Sequence, residues 1–206
     1  MIRVVVIRHG RTEWNRVERF RGRADLELDE VGVKQAEATA ERIAEWQVSA
    51  IYASPLRRTS TTAGILARRF NLEVKPLPGI IDIDYGEWQG LSPEEVAAKD
   101  SALYAGWLES PHKVKFPGGE SLAEVRERVD AAVNDIIQRS EGTIAFVTHK
   151  VICQILALIF LDLDNSHFWN IVQDVSAVNL FEIREGIPSA LLINDTCHLK
   201  KLAGAL

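Results

Sequence analysis

The sequence has no long hydrophobic run. Among its 206 residues no segment approaches the roughly 18 consecutive apolar residues that a transmembrane helix needs, and the N-terminus has no basic region or small-residue cleavage site. Cysteine is also scarce, because Cys153 and Cys197 are the two present and neither stands in a Cys-x-x-Cys pair. Such a chain cannot build a disulfide framework, which fits a reducing compartment. We therefore expect a cytoplasmic protein with no membrane partner.

The sequence patterns typical of metal and nucleotide sites are missing as well. The histidines show no spacing typical of zinc ligands; they are His9, His112, His149, His167 and His198. Glycine loops of the kinds Gly-x-x-x-x-Gly-Lys-Ser/Thr and Gly-x-Gly-x-x-Gly are absent. We expect neither a metal ion nor an organic cofactor.

Negative charge dominates the chain but is unevenly distributed. The formal net charge is −5, yet residues 1–23 contain seven arginines against Glu13 and Glu18. A local basic cluster on an acidic protein suits a small anionic ligand better than a polyanion, so we expect no nucleic-acid partner. The alternative is a basic loop that is merely solvated.

An apolar run close to the start predicts a strand buried on both faces. Residues 4–7 are Val-Val-Val-Ile, and Arg8, His9 and Gly10 follow where the run ends. In open α/β sheets ligands bind at the carboxyl ends of the strands. Arg8 can bind an oxyanion, His9 can act as nucleophile or base, and Gly10 lets backbone come close to a ligand. The alternative is a strand that ends in structural surface residues.

The pattern beyond this strand predicts an α/β fold. A helix starts at Asp29 or Glu30, a short strand covers residues 49–53, and Ser54-Pro55 caps the next helix. This rhythm predicts a three-layer α/β/α sandwich with a mostly parallel sheet and helices on both faces. Residues 175–183 and 189–193 predict an antiparallel edge. We expect one domain over residues 1–206, with a small cap insert at about 91–119.

Two further features place positive charge and a second imidazole near the carboxyl ends of the parallel strands. Residues 143–148 form a second apolar strand that ends in His149, so His9 and His149 can meet in one crevice. Arg57 and Arg58 occupy the predicted first turn of a helix, where cations oppose the helix dipole, and this suggests a bound anion.

These motifs resemble the histidine phosphatase superfamily, which includes the phosphoglycerate mutases. The opening of the chain carries most of the resemblance, and residues 54–59 and the Pro-Gly-Gly-Glu-Ser of residues 117–121 extend it. The matching residues at the opening are 8–15, 20–22, Asp25, Leu28 and 32–36. One departure is Lys150, where the family usually has a small residue after the histidine, so close backbone approach is not expected there.

The resemblance implies a role for each candidate residue. His9 would become phosphohistidine while Arg8, Arg58, His149 and Asn15 hold the phosphoryl oxygens. The acid in the family is usually a glutamate four residues before a glycine, and that position is Asp82 here, with Asp84 as the reserve candidate. Arg57 is then a solvated surface residue. The leaving group would lie against Arg21, Gly22 and Tyr85.

Rival phosphatase chemistries fit the residues poorly. Asp82-x-Asp84 has the spacing of a magnesium-dependent aspartate nucleophile, but Pro-Leu-Pro-Gly precedes it instead of an apolar strand. Neither cysteine is followed six residues later by arginine, as a cysteine phosphatase requires.

A narrower resemblance points to the metal-independent phosphoserine phosphatases of this superfamily. It rests on residues 110–114, 118–122 and 196–199. That branch commonly has histidine where this chain has Tyr85, and glutamate where it has Asp82. His112, Lys113 and Lys115 are candidates for a substrate carboxylate, with solvated loop charges as the alternative.

We therefore expect a phosphatase for small phosphate monoesters. A phosphoglycerate mutase and a non-catalytic phosphate-binding module remain the alternatives, and a homodimer is one alternative for the oligomeric state.

Overall fold

The computed structural model describes residues 1–200 and residue 202. The described strands are β1 (Ile2–Arg8), β2 (Val48–Ala53), β3 (Val74–Pro76), β4 (Gly142–Thr148), β5 (Val178–Arg184) and β6 (Ile187–Asp195). They form one sheet in the order β3-β2-β4-β1-β5-β6. The first four strands in this order run parallel, whereas β5 is antiparallel to both β1 and β6. The predicted mostly parallel sheet with an antiparallel edge is confirmed.

Helices cover both faces of this sheet. The described α-helices are α1 (Glu13–Arg16), α2 (Glu30–Arg42), α3 (Arg57–Phe70), α4 (Pro93–Lys99), α5 (Ser101–Glu109), α6 (Leu122–Gln138) and α7 (Lys150–Phe160). Helices α2 and α3 pack on one face, and α6 and α7 pack on the other. The three-layer α/β/α arrangement is therefore confirmed.

Strand β1 lies inside the sheet because its side chains are apolar on both faces. Val4 and Val6 belong to the core beneath α6 and α7, while Val5 and Ile7 belong to the core beneath α2 and α3. All four side chains are fully buried. Side chains of a strand alternate between the two faces, so an unbroken apolar run suits this central position.

Local hydrogen bonds explain where the helices begin. The Asp29 carboxylate accepts a hydrogen bond from Gly32 N at 2.7 Å and caps α2, and Ser121 caps α6 together with Glu124. The predicted capping role of Ser54 is wrong. Helix α3 begins at Arg57 after an extended Leu56, because the Ser54 side chain is buried and lies 2.7 Å from His149 Nε2.

The antiparallel edge is a hairpin with a two-residue turn. Glu185 and Gly186 connect β5 to β6 with φ angles of 52° and 81°. Positive φ at both turn positions matches the right-handed twist of the flanking strands. β5 is mostly buried, whereas β6 is largely exposed at the edge of the sheet.

The segment at about 91–119 contains α4, α5 and a 3₁₀ turn at Pro111–Lys113. Trp107 anchors it, with its ring centroid 5.1 Å from that of Phe116 and 5.0 Å from that of Trp169. Edge-to-face pairs of this kind contribute about 0.5–1.5 kcal/mol each beyond area burial. Among the described helices, none has both the length and the apolar character that crossing a membrane requires.

Candidate active site

The carboxyl ends of β1 and β4 bring two histidines together. The strands are parallel neighbours, with Arg8 paired to Thr148, so His9 and His149 follow at adjacent positions. The backbone N–H of His9 donates to Thr148 O at 2.9 Å. The two rings lie 5.4 Å apart between centroids, and both side chains are buried. The two imidazoles therefore meet, as predicted, at the carboxyl ends of the central parallel strands.

The hydrogen bond of His9 determines which ring nitrogen is free. Nδ1 lies 2.6 Å from Gly10 O, and a carbonyl oxygen can only accept, so Nδ1 carries the hydrogen. Burial, reinforced by Arg58 and Arg8, lowers the pKa of His9 well below its usual value of 6.5. The ring is therefore neutral near pH 7, and Nε2 holds a lone pair without a hydrogen-bond partner in the described residues.

His149 is oriented by two partners. Arg58 Nε donates to His149 Nδ1 at 3.2 Å, which leaves the ring hydrogen on Nε2, and Nε2–H donates to Ser54 Oγ at 2.7 Å. Burial and the nearby Arg58 lower the pKa of His149 well below 6.5. Ser54 follows β2 as His149 follows β4, so its position at the end of a strand was a signal that could have identified it.

Arg58 connects three parts of the site. Its guanidinium is fully buried and donates to Gly22 O at 2.7 Å, Ala24 O at 2.6 Å and Asp82 Oδ2 at 3.1 Å. Burial lowers its pKa, and the Asp82 carboxylate opposes this. Arg58 is thus held beside both His149 and Asp82. Arg57, by contrast, is exposed and pairs with Glu27.

The two candidate acids have different surroundings. Asp82 is 5% exposed, and burial raises its pKa above the ordinary value, although Arg58 and Arg21 act in the opposite direction. Asp84 instead accepts a hydrogen bond from Gly86 N and pairs with Arg23 at 3.3 Å. Asp82 Oδ2 lies 3.6 Å from His149 Nδ1, and Asp82 lines a cavity next to the histidines that Asp84 does not reach; His9, Arg58 and His149 lie behind its wall. The geometry therefore favours Asp82.

Two arginines have hydrogen-bond donors without acceptors. Arg8 donates to Gln173 O at 2.7 Å, and Arg21 donates to Trp14 O at 3.1 Å. Among the described residues, the buried Nε–H of each finds no partner. Burial, and next the charge of Arg21, lowers the pKa of Arg8 to about 9. Desolvated guanidinium groups with free donors form a favourable environment for an oxyanion.

The cavity at the carboxyl ends of the parallel strands has a volume of about 430 Å³. Asn15 reaches it with its amide oxygen already bound by Thr12 N at 3.0 Å, so the amide N–H groups remain for a ligand. Tyr85 also lines the cavity, and burial raises the pKa of its hydroxyl. A cavity of this size lies in the range of small-molecule sites, about 300–1,000 Å³. Aromatic side chains line much of its wall: Phe20, Tyr85, Tyr104, Trp107, Phe168 and Trp169.

Two glycines position other parts of the site. Gly22, like His9 and Arg58, is not among the cavity-lining residues, and its backbone, with φ of 47°, presents the carbonyl that binds Arg58. Gly10 was expected to admit a ligand, but a Cβ there would lie 2.3 Å from Gly32 O, so the glycine permits close packing of the two backbone segments.

The basic residues of the cap loop lie away from the cavity. Lys115 pairs with Glu124, Lys113 is exposed, and His112 lines a separate surface pocket. Of the described side chains, Asp195, Cys197 and His198 could hold a metal ion, since their ligand atoms lie within 4.8 Å of one another. None of these three lines the cavity, and Arg42 already pairs with Asp195 at 2.8 Å.

Comparison with known protein families then identifies the family of this chain. Residues 4–196 match the family model described as the histidine phosphatase superfamily (branch 1). The chain belongs to this superfamily. Its match extends from β1 through β6, so the histidine phosphatase pattern covers the sheet and the site together.

Relatives within the histidine phosphatase superfamily include several phosphoserine phosphatases. Phosphoserine phosphatase 1 of Hydrogenobacter thermophilus is 38% identical over 200 residues, covering 97% of this chain and 95% of the relative. A metal-independent phosphoserine phosphatase of Arabidopsis thaliana is 36% identical over 150 residues, covering 71% of this chain and 63% of the relative. The crystal structure of phosphoserine phosphatase from Entamoeba histolytica in complex with 3-phosphoglyceric acid has a TM-score of 0.87 and 28% identity, covering 97% and 100% of the two chains.

Proposed function

We propose that this histidine phosphatase hydrolyses phosphate monoesters of small molecules, with His9 as the nucleophile. One observation carries the proposal. The Nδ1–H of His9 is held by Gly10 O, so the neutral ring has a lone pair on Nε2 within a cluster of cationic side chains. A nucleophile of this kind needs positive charge that stabilises the phosphoryl oxygens, and Arg8 and Arg58 supply it beside His9.

The first half of the reaction transfers the phosphoryl group to His9. Nε2 forms a bond to phosphorus while the bond from phosphorus to the ester oxygen breaks. Asp82 donates its proton to that oxygen, and the alcohol leaves. Arg8, Arg58 and the Asn15 amide hold the three non-bridging oxygens and stabilise the negative charge of the transition state. His149, whose two ring nitrogens already bind Arg58 and Ser54, orients Arg58 instead of donating to the phosphoryl group.

The second half returns the enzyme to its starting state. Asp82, now a carboxylate, accepts a proton from water as the water oxygen attacks phosphorus. The phosphorus–nitrogen bond breaks, phosphate leaves, and Asp82 is protonated again. One group thus serves as acid and then as base, which requires a pKa near the working pH. Burial raises the pKa of Asp82, which brings it closer to the working pH.

Substrate binding strengthens this shift. In the free protein Arg58 pairs with Asp82 and favours its ionised form. A phosphoryl dianion competes for the same guanidinium. As the Arg58 contact passes to the phosphoryl group, the opposition to burial weakens, and the pKa of Asp82 rises further toward the protonated acid.

The charges of the site support catalysis without a metal ion. Arg8, Arg21 and Arg58 surround the histidines, and Asp82 is already paired with Arg58. This donor set repels divalent cations and lacks the carboxylate cluster that magnesium prefers. The Arabidopsis relative is named a metal-independent phosphoserine phosphatase, which agrees with this.

The relatives make phosphoserine a first candidate substrate, and no observation among the described residues favours the mutase or the non-catalytic alternative over hydrolysis. A cytoplasmic location, a homodimer and a single domain over residues 1–206 stay predictions.

Turnover of p-nitrophenyl phosphate in EDTA tests the proposed function. We expect activity in the unmodified protein and its loss in His9→Ala. His167→Ala is the matched control, because His167 is exposed and pairs with Asp164 outside the cavity. Acid-labile, base-stable phosphate should be trapped on His9 during turnover. Label on an aspartate, or full activity in His9→Ala, would overturn the proposed function.

A further inference from the structure

Lys150 places a cation in the cavity, and the proposed reaction does not use this cation. It is the first residue of α7 and follows His149 directly, so its side chain starts beside the phosphoryl site. The residue lines the same cavity as Arg8 and Asp82. Its neighbours on the wall are aromatic, and its Nζ lies 5.9 Å from the centroid of the Trp169 ring.

The ammonium group of Lys150 has no counter-ion among the residues that the structure describes. Within residues 1–200 and 202, no carboxylate oxygen lies within the 4.0 Å of an ion pair with it, and it makes no hydrogen bond. Glu18 and Asp174 act on it only at longer range, against the repulsion of Arg8 and Arg21. Burial, followed by these two arginines, lowers the pKa of Lys150. A partly desolvated cation among other cations is costly unless a ligand supplies an anion.

The other described lysines either pair with a carboxylate or lie in solvent. Lys99 and Lys115 pair with glutamates at the surface, at 2.8 Å and 2.5 Å respectively. Lys75 lies over an aromatic ring, as Lys150 does, at 5.4 Å from the centroid of Tyr52, but it is exposed to solvent and outside the cavity. Lys150 therefore differs from these three in being both unpaired and inside the substrate cavity.

We propose that Lys150 binds a carboxylate on the leaving group of the substrate and so selects phosphate esters of carboxylated alcohols. This inference rests on the proposed function, and it names the substrate class of the same site. The phosphoryl oxygens already have donors in Arg8, Arg58 and Asn15. A single ammonium matches a single negative charge, which favours a carboxylate over a second phosphoryl dianion.

The cap-loop residues that were candidates for this role cannot perform it from their positions. Lys113, Lys115 and His112 lie outside the cavity. Lys150 stands where the sequence pattern of the family usually has a small residue, so the pattern by itself suggests no function for it. Its position at the start of α7, immediately after the site histidine, is the signal that identifies it.

A matched pair of substrates tests the inference. 3-Phosphoglycerate and glycerol 3-phosphate differ only in a carboxylate that replaces a hydroxymethyl group. We expect the unmodified enzyme to have the higher kcat/KM for 3-phosphoglycerate. Lys150→Met, which keeps the apolar stem, should lower the ratio of the two kcat/KM values about tenfold, as loss of a charge-assisted contact does. Lys150→Arg should keep most of the ratio, and Lys75→Met should leave it unchanged.

Three outcomes would overturn the inference. They are an absent preference in the unmodified enzyme, an unchanged ratio in Lys150→Met, and an equal loss on both substrates, which would assign Lys150 to the phosphoryl group or to folding. Melting temperatures of the variants identify a folding defect. Hydrolysis of p-nitrophenyl phosphate reports the proposed function separately. Its absence from the unmodified enzyme overturns that function, whereas its presence with an unchanged ratio overturns the role of Lys150 alone.

Discussion

Replacement of Asp82 by asparagine separates general acid catalysis from phosphoryl binding. The asparagine side chain has nearly the same shape, and its amide oxygen can replace Oδ1, which accepts from Ile83 N at 3.0 Å, or Oδ2, which accepts from Arg58 at 3.1 Å, but not both. The proton for the leaving oxygen is lost. General acid catalysis contributes about 10²- to 10⁴-fold in rate, so we expect a loss of that size in kcat for alkyl phosphates.

Leaving groups of different basicity reveal the missing proton. p-Nitrophenolate leaves without much protonation, so Asp82→Asn should lose less than about tenfold in kcat/KM on p-nitrophenyl phosphate, since kcat/KM reports the transfer to His9 and not the later attack of water. In a series of substituted phenyl phosphates, the plot of log kcat/KM against the pKa of the leaving phenol should become steeper in the variant. Trapped phosphohistidine should persist longer, because water then lacks its general base.

Asp84→Asn provides the matched control. Asp84 has the same chemistry two residues away, but it pairs with Arg23 and lies outside the cavity. We expect this variant to keep both activities within a few fold. Equal losses of kcat/KM on all substrates in Asp82→Asn would refute the assignment of Asp82 as the acid. A steeper plot of log kcat/KM against leaving-group pKa in Asp84→Asn would refute it as well.

Two further predictions concern stability. The folded-state pKa values of His9 and His149 lie well below 6.5, so the unfolded chain binds protons first as the pH falls. Stability is therefore fully present above pH 6.5 and should fall below it by up to about 1.4 kcal/mol per pH unit for each histidine, measured by denaturant unfolding; a flat profile from pH 7.5 to 5.5 would contradict this. Gly10→Ala should destabilise the fold by about 1–3 kcal/mol, since its Cβ would lie 2.3 Å from Gly32 O. Gly64→Ala, in a helix with nothing within 4 Å of the added Cβ, should instead gain roughly 0.5–1 kcal/mol; the opposite order of melting temperatures would refute the steric argument.

Much of the fold could be predicted because local pattern and tertiary packing agree. The apolar run of β1, the cap at Asp29 and the antiparallel hairpin around Glu185 and Gly186 all occur where the pattern predicts them. The start of α3 could not be predicted in this way. Ser54 has the chemistry of a cap, but its partner is His149, 95 residues further along the chain, and local rules do not include such contacts.

The sequence by itself determined which chemical groups stand at the ends of buried strands. A histidine after each of two apolar runs was sufficient to place His9 and His149 close together, since the carboxyl ends of parallel strands lie on the same side of a sheet. Only the tertiary structure decided how those groups are ionised and which of their neighbours reach a ligand. Burial separates Asp82 from Asp84, chain packing brings Gly22 O to Arg58, and Lys150 has no anionic partner among the described residues. These properties depend on solvent exclusion and on contacts between distant segments, which a local sequence pattern does not contain.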